Sequence, residues 1–130
     1  MAVDPRTIDN EEQGFLALPF TIEETAGVKA LTATDIGKPV ALTANNEVSE
    51  GADNEFFLGK LIAISEDGVT ASVQVAGVCA DLSYSGTAPV LGWPVQMSGD
   101  TTVDKGVTTG ATRGVTLAVN TSAATCDVLL

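Results

Sequence analysis

The chemistry open to this chain is limited by the absence of histidine from its 130 residues. Without an imidazole, the chain cannot build Ser-His-Asp or Cys-His catalysis, nor most transition-metal sites. Carboxylates remain as candidate general acids and bases, and neighbouring acids occur at Glu11-Glu12, Glu23-Glu24 and Glu66-Asp67. Each pair consists of chain neighbours in a predicted arm or turn, and not of groups that converge from separate strands, so we interpret them as solvated surface. The sequence therefore predicts no catalytic residue and a protein that is not an enzyme.

The sequence also gives little support for a metal site or for a reactive cysteine. The stretch Asp53-Asn54-Glu55 offers the oxygen ligands that calcium prefers, but it lacks the alternating acidic spacing of a calcium-binding loop. No glycine pattern of a nucleotide-binding loop occurs either, so we predict no metal and no cofactor. Cys79 and Cys126 lie far apart in the chain without a C-x-x-C spacing, which favours two buried thiols over a disulfide.

The charge balance narrows the choice of partners. Seventeen acidic residues against six basic ones give a net charge of −11. Such a chain repels a phosphate backbone and an anionic lipid surface, so we predict neither nucleic acid nor membrane as a partner. The start of the chain is polar and acidic, and no apolar stretch approaches the roughly 20 residues of a membrane span. These features predict a soluble protein that is synthesised in the cytoplasm.

An internal repeat organises most of the chain. Placing residues 36–75 over residues 91–130, an offset of 55, gives nine identities in forty positions, among them the glycine and proline of one turn: Gly37 with Gly92 and Pro39 with Pro94. Each copy predicts a turn, a short strand, a polar surface loop (45–54 or 100–109) and a closing hairpin. The side chains expected inward on the short strand are Val40 and Leu42 in one copy, and Val95 and Met97 in the other.

These elements predict an all-β fold: a small β-barrel or sandwich-like domain built from two degenerate modules of roughly 40 residues, with helix limited to short turns. The hairpin of the first copy joins strands 59–65 and 69–75. Residues 76–90 form a linking segment with one more strand, 77–82, followed by a turn. The β domain as a whole is expected to span residues 28–130.

Residues 1–27 differ from the rest and are interpreted as an acidic, extended N-terminal arm. The arm holds one apolar island, whose large side chains are Phe15, Leu16, Leu18 and Phe20. The island either folds back on its own barrel or docks into a neighbouring subunit. Because acids surround it, we expect the arm to be mobile in the free protein and dispensable for the folding of the barrel.

The second copy carries a distinctive series of short motifs. Gly92-Trp93-Pro94-Val95 is followed by a variable polar loop, a strand that begins at Gly114, and the closing residues Asp127-Val128-Leu129-Leu130. This series, together with the upstream strand Val73-Gln74-Val75-Ala76-Gly77-Val78, resembles the capsid decoration, or cement, proteins of tailed bacteriophages. The resemblance implies a β-barrel-like protein, often a homotrimer, that binds the major capsid protein on the exterior of the virion and stabilises the head. The apolar island then becomes a candidate capsid contact.

Trp93 stands where the first copy has Lys38, so the core common to both modules does not need it. It is either a cap on the end of the barrel or a contact at a subunit or partner interface.

An alternative function is a carbohydrate- or host-surface-binding β module of a virion accessory protein. Glycan sites usually present several aromatic rings for stacking, and this chain has only one Trp and one Tyr. The composition therefore gives little support to a glycan site.

Overall fold

The computed structural model describes residues 15–130 and confirms the all-β fold class. Helix in this part of the chain is limited to one short 3-10 turn, Ala33–Asp35. The strands, in chain order, are β1 (Phe15–Ile22), β2 (Glu24–Thr25), β3 (Val28–Lys29), β4 (Pro39–Ala44), β5 (Glu47–Ser49), β6 (Phe57–Ile64), β7 (Thr70–Ser83), β8 (Val95–Gly99), β9 (Thr102–Lys105), β10 (Val115–Asn120) and β11 (Thr125–Leu129).

Five of these strands close into a first ring, which we call barrel 1. The seven-stranded sheet has the order β1-β5-β4-β6-β7-β11-β10, and β1 also pairs with β7. Strand β1 runs antiparallel to β7, and its last two residues, Thr21 and Ile22, pair in parallel with β5. Because β1 pairs with both β5 and β7, the sheet closes into a ring. The side chains buried in barrel 1 include Ile22, Val40, Val48, Leu61 and Val73.

The second half of the chain closes in the same way, as barrel 2. Strands β8 and β9 form a hairpin, and β10 and β11 form another, which pairs with the second half of β7. Two isolated bridges complete the ring: Tyr84 with Val103 in parallel, and Val95 with Arg113. A separate buried cluster fills barrel 2: Ala41, Phe57, Cys79, Leu82, Val95, Met97, Val103, Cys126 and Val128.

Strand β7 belongs to both barrels. Its first half contributes Ala71 and Val73 to barrel 1, and its second half contributes Cys79 and Leu82 to barrel 2. The prediction of two separate strands, 69–75 and 77–82, is therefore wrong. Gly77 takes a positive φ (+89°) within the strand, so the backbone changes course there without ending the ladder.

The turns of the two barrels are built from equivalent hydrogen bonds. Gly37 donates its N–H to the carbonyl of Leu61 over 2.7 Å, and Gly92 does the same to Thr116 over 2.9 Å. In return Leu61 donates to Lys38, and Thr116 donates to Trp93, both over 2.9 Å. Every partner in one set is 55 residues from its counterpart in the other, which is the offset seen in the sequence.

The correspondence extends to β1, outside the aligned residues. Ile22 donates its N–H to Val69 over 2.9 Å, and Tyr84 donates to Ala124 over 3.0 Å. The next residues repeat the match, since Glu23 donates to Val48 and Ser85 to Val103. Strand β1 therefore has the same role in barrel 1 that the second half of β7 has in barrel 2.

Two of the repeated glycines lie where strands approach too closely for a side chain. A Cβ on Gly59 would lie 1.9 Å from the carbonyl oxygen of Gln74 on β7. A Cβ on Gly114 would lie 2.6 Å from Val128 on β11. Both distances are shorter than any allowed contact, so the two barrels need glycine for the same reason.

The boundary of the N-terminal arm is corrected by this fold. Residues 15–22 form β1, an integral strand of barrel 1, and residues 24–29 form the small β2–β3 hairpin. Deleting the chain up to Glu24 would remove the strand that closes barrel 1, so the expectation that the arm is dispensable for folding is wrong. Residues 1–14 lie outside the described residues.

Two local expectations also change. Val40, Val95 and Met97 are buried as predicted, but Leu42 is exposed, at a point where the register of β4 shifts against both β5 and β6. The neighbouring Ala41 packs in the core of barrel 2. The predicted surface loops each contain a short strand, β5 or β9. The strands hold Val48 and Val103, which are completely buried.

We predict that Ile22→Ala lowers the free energy of unfolding by about 2–5 kcal/mol, because Ile22 is buried in barrel 1 at the point where β1 meets β5. Leu16→Ala on the same strand is the matched control, and it should cost less than about 1 kcal/mol because Leu16 is exposed. Urea unfolding followed by circular dichroism measures both. Equal losses for the two variants would contradict the role of Ile22 in closing the barrel.

Candidate functional site: an exposed apolar surface

In the described part of the chain, the predicted acidic pairs lie beside a short hairpin and in a turn. Glu24 forms an ion pair with Lys29 (3.2 Å), and Glu66 and Asp67 lie in the exposed β6–β7 turn. The Asp67 carboxylate accepts hydrogen bonds from the Ser65 hydroxyl (2.6 Å) and the Val69 N–H (3.1 Å), which lower its pKa. Asp67 therefore stabilises a turn. Glu11 and Glu12 fall outside the described residues.

The stretch Asp53-Asn54-Glu55 is engaged in contacts within the protein. The side-chain oxygen of Asn54 accepts a 2.7 Å hydrogen bond from the amide of Gln96, which is buried on β8. Among residues 15–130, no group of three or more acidic or cysteine side chains is placed to hold a metal ion. The same residues enclose no pocket.

The two thiols are free and lie in the core of barrel 2. Burial raises the pKa of Cys79 to about 11. Burial, and then the charge of Asp127, raise the pKa of Cys126 to about 12. Because the thiolate is the reactive form, neither residue is suited to nucleophilic chemistry near neutral pH.

We predict that the folded protein resists alkylation by iodoacetamide at pH 8, whereas both thiols react once the chain is unfolded in urea. Mass spectrometry of samples with and without urea measures this directly, and the unfolded sample is the control for reagent activity. Fast labelling of Cys79 or Cys126 in the folded protein would contradict their assignment to the core.

The first half of β1 exposes three large apolar side chains, which we call the β1 patch: Phe15 (48% exposed), Leu16 (52%) and Leu18 (41%). Among the described residues this half of the strand pairs only with β7, so its other edge has no partner strand. Phe20, also predicted as a contact, packs against the core of barrel 1. Phe20 is therefore a structural residue, and the prediction that it is a capsid contact is corrected. Of the two alternatives for the apolar island, the end that contains Phe20 folds back on its own barrel.

A second pair of exposed apolar side chains lies near the junction between the barrels. Phe15 lies opposite Gly77 on β7, Leu129 lies opposite the next residue, Val78, and Val115 lies opposite Leu129. Residues directly opposite in a sheet project from the same face, so Leu129 and Val115 form an exposed apolar pair on one face of the sheet. Both are exposed. The sequence analysis missed them, although Val128 pointing inward would have placed Leu129 outward.

The Trp93 turn, residues 91–93, borders this surface. The carbonyl of Trp93 accepts hydrogen bonds from the N–H and the hydroxyl of Thr116, the neighbour of Val115. The Lys105 ammonium lies 4.2 Å from the centroid of the indole ring, a cation–π contact, and Trp93 is still 45% exposed. Leu91 beside it is also exposed. Trp93 thus keeps the surface area that a partner contact requires.

Comparisons with family models, curated proteins and solved structures found no match to this chain. No helix within residues 15–130 has the length and apolar character of a membrane span.

Proposed function

We propose that this protein is a structural attachment protein, specifically a capsid decoration protein of a tailed bacteriophage that binds the outer surface of the head and stabilises it. The observation that carries the proposal is the β1 patch, which combines three exposed apolar side chains with a strand edge that has no partner among residues 15–130. Exposed apolar side chains and open strand edges are features of protein-binding surfaces. The motifs that resemble decoration proteins supply the particular partner, the major capsid protein.

The energy available from the β1 patch favours many weak contacts over one tight one. Fully removing a Leu or Phe side chain from water contributes about 1.5–3 kcal/mol, and the three side chains are already about half buried. The patch therefore offers a few kcal/mol per chain. Joining chains raises the overall affinity without new contacts. This is why we include a homotrimer, formed free or on the capsid, in the proposal.

Charge sets the character of the partner. A chain with a net charge of −11 associates faster with a basic surface than with a neutral or acidic surface. We infer that the capsid site has an apolar centre, which accepts the β1 patch, and a basic rim. Attachment should weaken as salt rises, because exposed charges are screened over about 8 Å at physiological ionic strength.

The direct test is quantitative mass spectrometry of phage particles banded from cultures that express the chain. A decoration protein should be present in a fixed, high ratio to the major capsid protein and should be released from the particle surface by mild denaturant. Its absence from banded particles, or presence in only a few copies, would reject the proposal.

We predict that Leu16→Ser with Leu18→Ser lowers the occupancy of undecorated capsids about tenfold or more, equivalent to at least about 1.4 kcal/mol of binding free energy. Val69→Ser is the matched control, since Val69 is similarly exposed but lies in the β6–β7 turn, away from the β1 patch. Cosedimentation with capsids measures occupancy. Equal binding by the double variant and the control would show that the β1 patch is not the contact.

The alternative, a carbohydrate-binding module, is favoured only by the exposed ring of Trp93. Glycan-array binding that Trp93→Ala abolishes, together with no cosedimentation with capsids, would establish the alternative in place of the decoration protein. The Leu16 and Leu18 variants separate the two, because a glycan site at Trp93 does not need the β1 patch.

A further inference from the structure

Two opposite side chains of barrel 1 reach the part of β7 that continues into barrel 2. Lys60 on β6 and Gln74 on β7 lie directly opposite each other in the sheet. The Lys60 ammonium donates to the carbonyl of Ala80 over 2.8 Å. The Gln74 amide donates to the carbonyls of Ala76 (3.2 Å) and Val78 (2.9 Å). This pair of side chains therefore forms part of the contact by which one barrel joins the next.

Barrel 2 carries the counterpart of this pair, with different chemistry. The repeat offset of 55 residues places Val115 at the position of Lys60 and Leu129 at the position of Gln74. The two counterparts again lie directly opposite each other. Gln74 is buried, whereas Val115 and Leu129 are 42% and 41% exposed. The position that joins the barrels in barrel 1 is thus open and apolar in barrel 2.

The Trp93 turn is attached to the sheet beside this apolar pair. Thr116, the neighbour of Val115, accepts a hydrogen bond from the N–H of Gly92 and donates its own N–H to the carbonyl of Trp93, both over 2.9 Å. Leu91 and Trp93 are exposed. We call the four exposed apolar residues of this region the barrel 2 face: Leu91, Trp93, Val115 and Leu129.

Charge is distributed unequally between the two barrels. Residues 15–76 hold nine acidic and three basic residues, a net charge of −6, whereas residues 77–130 hold four acidic and two basic residues, a net charge of −2. Most of the barrel 2 face lies in segments with still less charge, since residues 82–99 contain no charged residue and residues 105–126 contain no acidic one. On β11, Asp127 is the one acidic residue. Copies of a chain with a net charge of −11 repel each other, so they approach most easily through the end with the least charge.

We propose that the barrel 2 face is the surface through which copies of this chain bind one another. It occupies the position that already joins one barrel to the next within the chain, and it lies on the barrel with the lower charge. Val115 and Leu129 replace the hydrogen-bond donors of barrel 1, which suits contact with another apolar face better than contact with backbone carbonyls. Subunit interfaces are more apolar than other protein surface and are enriched in tryptophan. The occupant is a second copy that presents the same face.

This contact separates the two tasks of the proposed function, on which it rests only for the number of copies, three. The barrel 2 face joins the copies, and the β1 patch on the more acidic barrel 1 remains free for the capsid. Joined copies present several β1 patches at once, which raises the overall affinity for a capsid without new contacts.

The test gives barrel 2 the side chains of barrel 1, in the variant Val115→Lys with Leu129→Gln. The repeated module already holds these residues at the counterpart positions, so the variant should fold, which circular dichroism checks. The native chain should associate as its concentration rises, and the variant should need a concentration about tenfold higher or more. Sedimentation equilibrium of the full chain measures both.

Val69→Lys with Leu42→Gln is the matched control. It makes the same two substitutions at similarly exposed positions of barrel 1, 40% and 38%, and changes the net charge equally. This control should associate like the native chain. A native chain that is monomeric throughout the concentration series, or equal association of the variant and the control, would overturn the proposal.

Two measurements on the native chain do not depend on how a variant folds. Trp93 is the only tryptophan, so acrylamide quenching of its fluorescence should fall as the copies associate. Association should strengthen as salt rises, because screening weakens the repulsion between like charges. Attachment to a basic capsid rim should change in the opposite direction. Association that leaves the quenching unchanged, or that weakens with salt, would contradict a contact at the barrel 2 face.

The variant Leu16→Ser with Leu18→Ser decides which surface of the second copy is bound. It should associate like the native chain, because the barrel 2 faces meet each other. If it dissociates, the β1 patch of the next copy is the occupant, and the proposal is wrong. No capsid is present in these experiments, so their failure is distinct from the absence of the chain from phage particles.

Discussion

The pairing of β7 along its whole length is the interaction on which the rest of the structure depends. A strand leaves its backbone polar groups unsatisfied unless neighbours cover it, and small sheets escape open edges by closing. With 14 residues, β7 is long enough to serve two rings in succession. Arg113 strengthens the join, since from barrel 2 it donates to the carbonyls of Leu58 and Val75 in barrel 1. Each barrel thus completes its ring with a strand held in place by the other.

How much of this could be predicted depends on the distance over which each signal acts. The β6–β7 hairpin was predictable because alternation and the Asp67-Gly68 turn are local. The role of β1 was not, because its partners lie on β5 and β7, far along the chain, and a run of acids beside it suggested an arm. Strands β5 and β9 were hidden for another reason: each is short and mostly polar, with one buried valine.

The candidate contact residues also divide into those that the local sequence predicts and those that only the tertiary structure shows. Composition identified the apolar island, but only the tertiary packing shows that Phe20 contacts the core of barrel 1 while Leu16 and Leu18 stay exposed. The exposed pair Leu129 and Val115 depends on the pairing of β11 with both β10 and β7. Such neighbourhoods come from tertiary pairing, which no single stretch of sequence contains.

Strand β1 has two halves with different tasks, and the division links attachment to stability. Its second half, with Phe20 and Ile22, closes barrel 1, while its first half carries the exposed patch. A partner that covers the patch binds only chains in which β1 is in place, so by mass action it stabilises barrel 1. Because β7 is common to both rings, part of that stabilisation passes to barrel 2. In the function that we propose, attachment to the capsid therefore stabilises the attached protein itself.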